Sequence, residues 1–134
     1  MSLDMATQMQ RTGVIVRDDG FHPDDWHGAV VDLTPDTDPA TLADLIQEGA
    51  LVRVAFPAFS DGRGFTLGRQ LRALGYVGRL RAAGPILADQ YAMLRRSGFD
   101  EVEIPAAMAA RQPQAQWMAR ANWGAHDYRS RLRQ

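Results

Sequence analysis

A carboxylate, a guanidinium and two glycines stand together at Asp61-Gly62-Arg63-Gly64, directly after Phe56-Pro57-Ala58-Phe59-Ser60. Glycines at a strand-to-helix turn let backbone N–H groups approach a ligand, and the start of the following helix carries partial positive charge. Arg63 adds a planar two-point grip for sulfate, phosphate or carboxylate, and the rings of Phe56 and Phe59 offer apolar walls. A plainer account competes with this one: Ser60 or Asp61 caps the helix, the glycines permit the turn, and Arg63 is solvated. No complete catalytic constellation accompanies the loop. The chemistry it points to is binding of an anion, not a named reaction.

Other chemistries are excluded by residue type. The 134 residues include no cysteine and no lysine, and all fifteen basic side chains are Arg. Thiol catalysis, Cys-ligated zinc and iron–sulfur clusters on the chain's own cysteines are therefore ruled out. So are a Schiff-base lysine and the phosphate-gripping lysine of a P-loop. His22, Asp24, Asp25 and His27 are metal-binding types, but Pro23 and Trp26 among them read better as an ordinary turn anchored by an aromatic. His126 stands alone and reads as solvated. From Gly62 to Gly68 the glycine spacing departs from G-x-G-x-x-G, because position 67 is Leu and the glycine follows one residue late. No resident cofactor is expected.

The formal net charge of −1 supplies no global field for nucleic acid or an anionic membrane. No apolar run approaches a membrane span, and Met1-Ser2-Leu3-Asp4-Met5 lacks the regions of a signal peptide. A cytoplasmic protein is the expectation.

The elements that would position the loop follow from hydrophobic period and turn residues. The expected fold is one α/β domain over residues 1–134, with a small, mostly parallel sheet flanked by helices. It divides into an N-terminal hairpin or edge-strand region at 12–33, a βαβαβ core at 51–104 and a C-terminal helical segment at 106–134. Thr12 to Val16 is β-branched and precedes the turn signal Asp19-Gly20, and Ala29 to Leu33 is a second strand candidate. Asp38-Pro39 reads as an N-cap and first residue of a short helix carrying Leu42, Leu45 and Ile46 and ending at Gly49. Leu51 to Phe56 is a nearly continuous apolar run, as in a buried parallel strand. Leu67, Leu71 and Leu74 then mark a helix closed by Gly75. Strand Gly78 to Ala83, a helix with Leu87, Tyr91 and Leu94 closed by Gly98, and strand Glu101 to Ile104 complete the unit. Leu71-Arg72-Ala73-Leu74-Gly75-Tyr76 and Leu94-Arg95-Arg96-Ser97-Gly98-Phe99 look like two copies of one helix ending, with Tyr76 and Phe99 packing onto the sheet. Past Pro105, Ala106 to Ala121 reads as one or two helices anchored by Trp117 and Met118, with Pro113 the break.

In a parallel sheet the C-terminal ends of neighbouring strands share a crevice, so Arg81, Gly84, Asp89 and Gln90 are candidate neighbours of Asp61 and Arg63. Arg81 and Asp61 could equally form a structural ion pair, and Asp89 has a sufficient role at a helix start. The candidate ligand-binding set is Phe59, Asp61, Gly62, Arg63, Gly64, Arg81, Asp89 and Gln90.

Several runs in this core, namely Phe56-Pro57, Asp61-Gly62-Arg63-Gly64-Phe65, Leu71-Arg72, Gly78 with Leu80-Arg81-Ala82, Gly84, Asp89-Gln90 and Arg96-Ser97-Gly98-Phe99-Asp100, resemble a bacterial family of uncharacterised proteins. Its members bear the name of oxidoreductases of sulfite reduction and are typically encoded beside an assimilatory sulfite or nitrite reductase. Many carry cysteine where Ser97 stands here, so a thiol at that position is not essential to a function this chain shares. The resemblance implies an accessory protein of sulfite reduction that binds an anionic ligand or a partner, such as sulfite reductase, and self-association is compatible with it. The alternative is a small-molecule oxidoreductase that uses Asp61 and Arg63 with a dissociable cofactor. The missing cysteines and incomplete nucleotide motif favour the accessory role.

Overall fold

The computed structural model describes residues 13–126. Six strands form one sheet: β1 (Val14–Arg17), β2 (Gly20–His22), β3 (Val30–Leu33), β4 (Leu51–Ala55), β5 (Leu80–Ala83) and β6 (Glu101–Ile104), in the order β2-β1-β6-β5-β4-β3. β3 to β6 are parallel, while β1 pairs antiparallel with both β6 and β2. The expected parallel neighbours β4, β5 and β6 are therefore adjacent, and the sheet is mixed because the hairpin joins it beside β6 and makes an antiparallel edge. The hairpin turns on Asp18 and Asp19, with Gly20 already in β2 at φ 131°.

The helices are α1 (Leu42–Leu45), α2 (Arg63–Ala73), α3 (Tyr91–Arg96), α4 (Ala106–Arg111) and α5 (Gln114–Met118). Asp38 caps the segment leading into α1 as its sequence predicts, its carboxylate accepting from Ala40 N–H at 3.0 Å. The break between α4 and α5 falls at Gln112 and Pro113, where proline cannot continue a helix. None of these helices is long and apolar enough to cross a membrane.

Strand alternation sorts the sheet into two unlike faces. Val14, Val16, Leu33, Val52, Val54, Leu80, Ala82, Val102 and Ile104 share one buried cluster with Phe65, Leu67 and Leu71 of α2, Tyr91 and Leu94 of α3 and Trp117 of α5. All these helices thus cover the same face. Trp117 is fully buried, stands edge-on to Tyr91 at 6.0 Å and donates from Nε1 to Gln112 O. Truncating it to Ala would remove about 3–5 kcal/mol.

The other face carries Arg17, Asp32, Arg53, Arg81, Glu101 and Glu103, with Arg53 in register with both Asp32 and Arg81, and Arg81 with Glu101. No helix covers it. The loop after β2 folds over it instead, bringing Asp24 to Arg81 and Asp25 to Arg17, with Trp26 stacked against the Arg79 guanidinium at 5.3 Å.

The two helix endings that look alike in sequence are alike in structure. Tyr76 N–H bonds Leu71 O and Gly75 N–H bonds Arg72 O, just as Phe99 N–H bonds Leu94 O and Gly98 N–H bonds Arg95 O. Gly75 and Gly98 sit at φ 96° and 107°, the left-handed conformation this double bond pattern requires.

Candidate functional site

The loop after β4 runs from Phe56 to Gly62 and delivers Arg63 to the first position of α2. Phe56 N–H still bonds Ala83 O at 2.7 Å, so the two strand ends leave the sheet together. Asp61 accepts from the Arg63 backbone N–H at 3.1 Å, and from Arg63 Nε at 3.0 Å and Nη2 at 2.7 Å. One carboxylate thus caps the helix start and holds the guanidinium. These hydrogen bonds and the adjacent positive charge hold the Asp61 carboxyl at about 2, and the same contact raises Arg63 above its ordinary value. Arg63 remains 59% exposed, and its Nη1 has no hydrogen bond among the described residues.

The glycines differ in role. Gly62 has φ −90° and open space where a side chain would grow, so nothing local demands glycine there. A Cβ on Gly64 would stand 2.4 Å from the Phe56 ring, which packs edge-on against Phe65 at 5.3 Å and Phe99 at 5.8 Å. Gly64 thus serves packing, and Phe56 is a buried core ring instead of an open pocket wall.

Of the four residues expected beside this loop, Gln90 and Gly84 reach it. Gln90 Nε2 donates to Phe59 O at 2.7 Å while its Oε1 accepts from Leu87 N–H at 2.9 Å, tying the two loops together. Phe59 projects outward, 56% exposed. Gly84, at φ 143°, passes under the loop with room for no side chain, since a Cβ would lie 2.0 Å from Phe56 O. Asp89 points elsewhere and pairs with Arg120 at 2.8 Å.

Arg81 does not lie with Asp61 and Arg63. As a residue within β5, odd in the alternation of Leu80 and Ala82, it emerges on the helix-free face. There it donates to Glu101 at 2.6 Å, Glu103 at 2.9 Å and both oxygens of Asp24 at 3.1 Å. Burial would push the Asp24 carboxyl up, but the Arg81 fork and the Trp26 N–H together leave it below the ordinary value. The carboxylates between His22 and His27 are thus engaged with arginines. Among the described residues no group of three His, Asp or Glu is placed to hold a metal.

The residues that sequence reasoning missed come from the other side of β4. A groove of ≈ 300 Å³ beside Arg63 is lined by Asp36, Thr37 and Asp38 from the loop after β3, and by Thr66 and Gln70 of α2. Gln70 Oε1 is buried without a hydrogen-bond partner among the described residues. The signal was available: Thr34-Pro35-Asp36-Thr37-Asp38 follows a parallel neighbour of β4, and the shared-crevice argument applies to both neighbours of a strand. The site is an open edge bearing a guanidinium held by a carboxylate, an outward aromatic and a shallow groove.

Over residues 30–132 the chain matches the family described as a bacterial protein of unknown function, DUF934. It belongs to that family. The match includes the four parallel strands and the Asp61 to Gly64 loop and leaves out the β1–β2 hairpin. No curated protein and no solved structure matches the chain.

Proposed function

We propose that this chain is an accessory protein of assimilatory sulfite reduction, and that the C-terminal edge of its parallel strands engages an anionic group, carried by a partner protein or by a small ligand. One observation carries the reading of the edge: Asp61 holds the Arg63 guanidinium through Nε and Nη2 while leaving its side chain 59% exposed, with no hydrogen bond at Nη1 among the described residues. A cation whose direction is set before binding loses less freedom on meeting its anion. Phe59 stands outward on the same pinned loop, and aromatic side chains and arginine are both enriched at protein interfaces. The open groove beside Arg63 fits contact with a partner's surface. The pathway rests on the family resemblance.

Two measurements test the two halves separately. A deletion strain is expected to grow poorly on sulfate and normally on cysteine, and equal growth on both removes the pathway. Affinity-tagged protein is expected to retain sulfite reductase on a column, and Phe59→Asp with Arg63→Ala is expected to release it. Retention unchanged in that double variant removes the edge.

A further inference from the structure

The opposite edge, where the parallel strands begin, carries a groove of ≈ 540 Å³ between the exit of α1 and the turn after α2. Ile46, Glu48, Leu74, Tyr76 and Val77 line it. Val77 is 94% exposed and Leu74 53%, with Leu45 also exposed on the adjoining turn of α1. These apolar groups sit on a rigid frame. The single Tyr76 hydroxyl proton is shared between Ala50 O at 2.9 Å and Arg79 O at 2.7 Å, and Arg72 Nη1 donates to Tyr76 O and Gly78 O at 2.9 and 2.8 Å. The turn therefore holds a valine and a leucine outward in a fixed position, where they contribute little burial to the chain's own fold.

The electrostatics of the groove have one sign. Among the described residues Glu48 is the one charged group lining the groove, Asp44 is exposed on α1, and neither forms an ion pair. The groove also receives the C-terminal end of α2, the negative end of an eleven-residue helix. Arg72, the cation of the turn, has its guanidinium committed to Tyr76, Gly78, Gly98 and Asp100. Apolar walls with a negative rim define the complement: an apolar side chain flanked by positive charge.

We propose that this groove docks a segment of a partner protein in which an apolar anchor is flanked by arginine or lysine. The anchor packs against Leu74 and Val77, and the cation meets Glu48. The groove and the Arg63 edge lie at opposite ends of the strands, so both can be occupied at once.

The test uses the full chain labelled with ¹⁵N and a short synthetic peptide alternating leucine with arginine, followed by NMR shifts and fluorescence anisotropy. Saturable shifts are expected at Ala43 to Gly49 and Leu74 to Gly78. Val77→Glu, at a site exposed enough to leave the fold intact, is expected to weaken binding at least about tenfold, or about 1.4 kcal/mol. Glu48→Arg is expected to reject this peptide and to accept one in which glutamate replaces arginine. Shifts centred elsewhere, no saturation by about 1 mM, or equal affinity in all three proteins overturns the proposal. So does self-association of the wild type that Val77→Glu abolishes while peptide binding is absent, since the groove would then belong to a second copy.

Discussion

Arg81 and Glu101 face each other across β5 and β6, Nε to Oε2 at 2.6 Å, each only 1% exposed. Arg17 meets the second oxygen of the same carboxylate at 3.1 Å, and Asp24 and Glu103 meet the rest of the Arg81 fork. A buried ion pair of this kind adds little over a well-packed apolar pair, but breaking it strands a charge. Glu101→Gln and Arg81→Met are each expected to cost about 3–5 kcal/mol in urea unfolding, with a double variant costing clearly less than their sum. A loss under about 1 kcal/mol in either single variant would mean that water reaches the pair.

The same network sets a pH dependence. Burial raises the Asp24 carboxyl, yet Arg81 and the Trp26 N–H outweigh it, so its folded value lies below the ordinary 3.8. A depressed folded pKa stabilises the folded state above the unfolded value, and that contribution is lost as pH falls through the folded one. The difference in urea midpoint between wild type and Asp24→Asn should be constant from pH 7 to about 4 and shrink below it. A gap that closes already between pH 7 and 5 contradicts the assignment.

Glycine substitutions separate the parts of the candidate loop that are built for packing from those that are free. Gly84→Ala meets both a left-handed φ of 143° and Phe56 O at 2.0 Å, so strain of about 1–3 kcal/mol from the backbone alone is expected, with the collision added. Gly62→Ala has open space and an ordinary φ, and a change within about 0.5 kcal/mol is expected. Thermal unfolding of the two variants ranks them. The reverse order would mean that the loop, not the strand crossing, carries the constraint.

What the sequence made legible follows from how local each signal is. The capping Asp38, the twin endings at Gly75 and Gly98 and the three parallel strands of the core are written in neighbouring residues, and each stands as expected. Arg81 lies inside its strand, where alternation and not the shared crevice decides the face. Leu80 and Ala82 face the helices, so Arg81 had to face away. The partners of that face, Asp24 and Glu101, lie 57 and 20 residues from Arg81, beyond any periodicity. The antiparallel edge was equally hidden, since Thr12 to Val16 names a strand but not the neighbour it joins.

Arg63 decides whether the loop after β4 is a site. Its guanidinium is held by Asp61 in two bonds, and its side chain remains largely exposed. If the edge grips an anion, Arg63→Ala should weaken binding about ten- to a hundredfold, the value of one charge-assisted contact, and leave the unfolding temperature nearly unchanged. Asp61→Asn should weaken it less, because the cation persists but loses the carboxylate that fixes its direction. Calorimetric titration of the three proteins with sulfite, sulfate, phosphate and adenine nucleotides provides the comparison. Raising the salt concentration should weaken the wild type toward the Arg63→Ala level, since the contact is exposed and screened. Identical titrations across the panel would mean that Asp61 and Arg63 serve only to start α2, and that this edge binds through Phe59 or not at all.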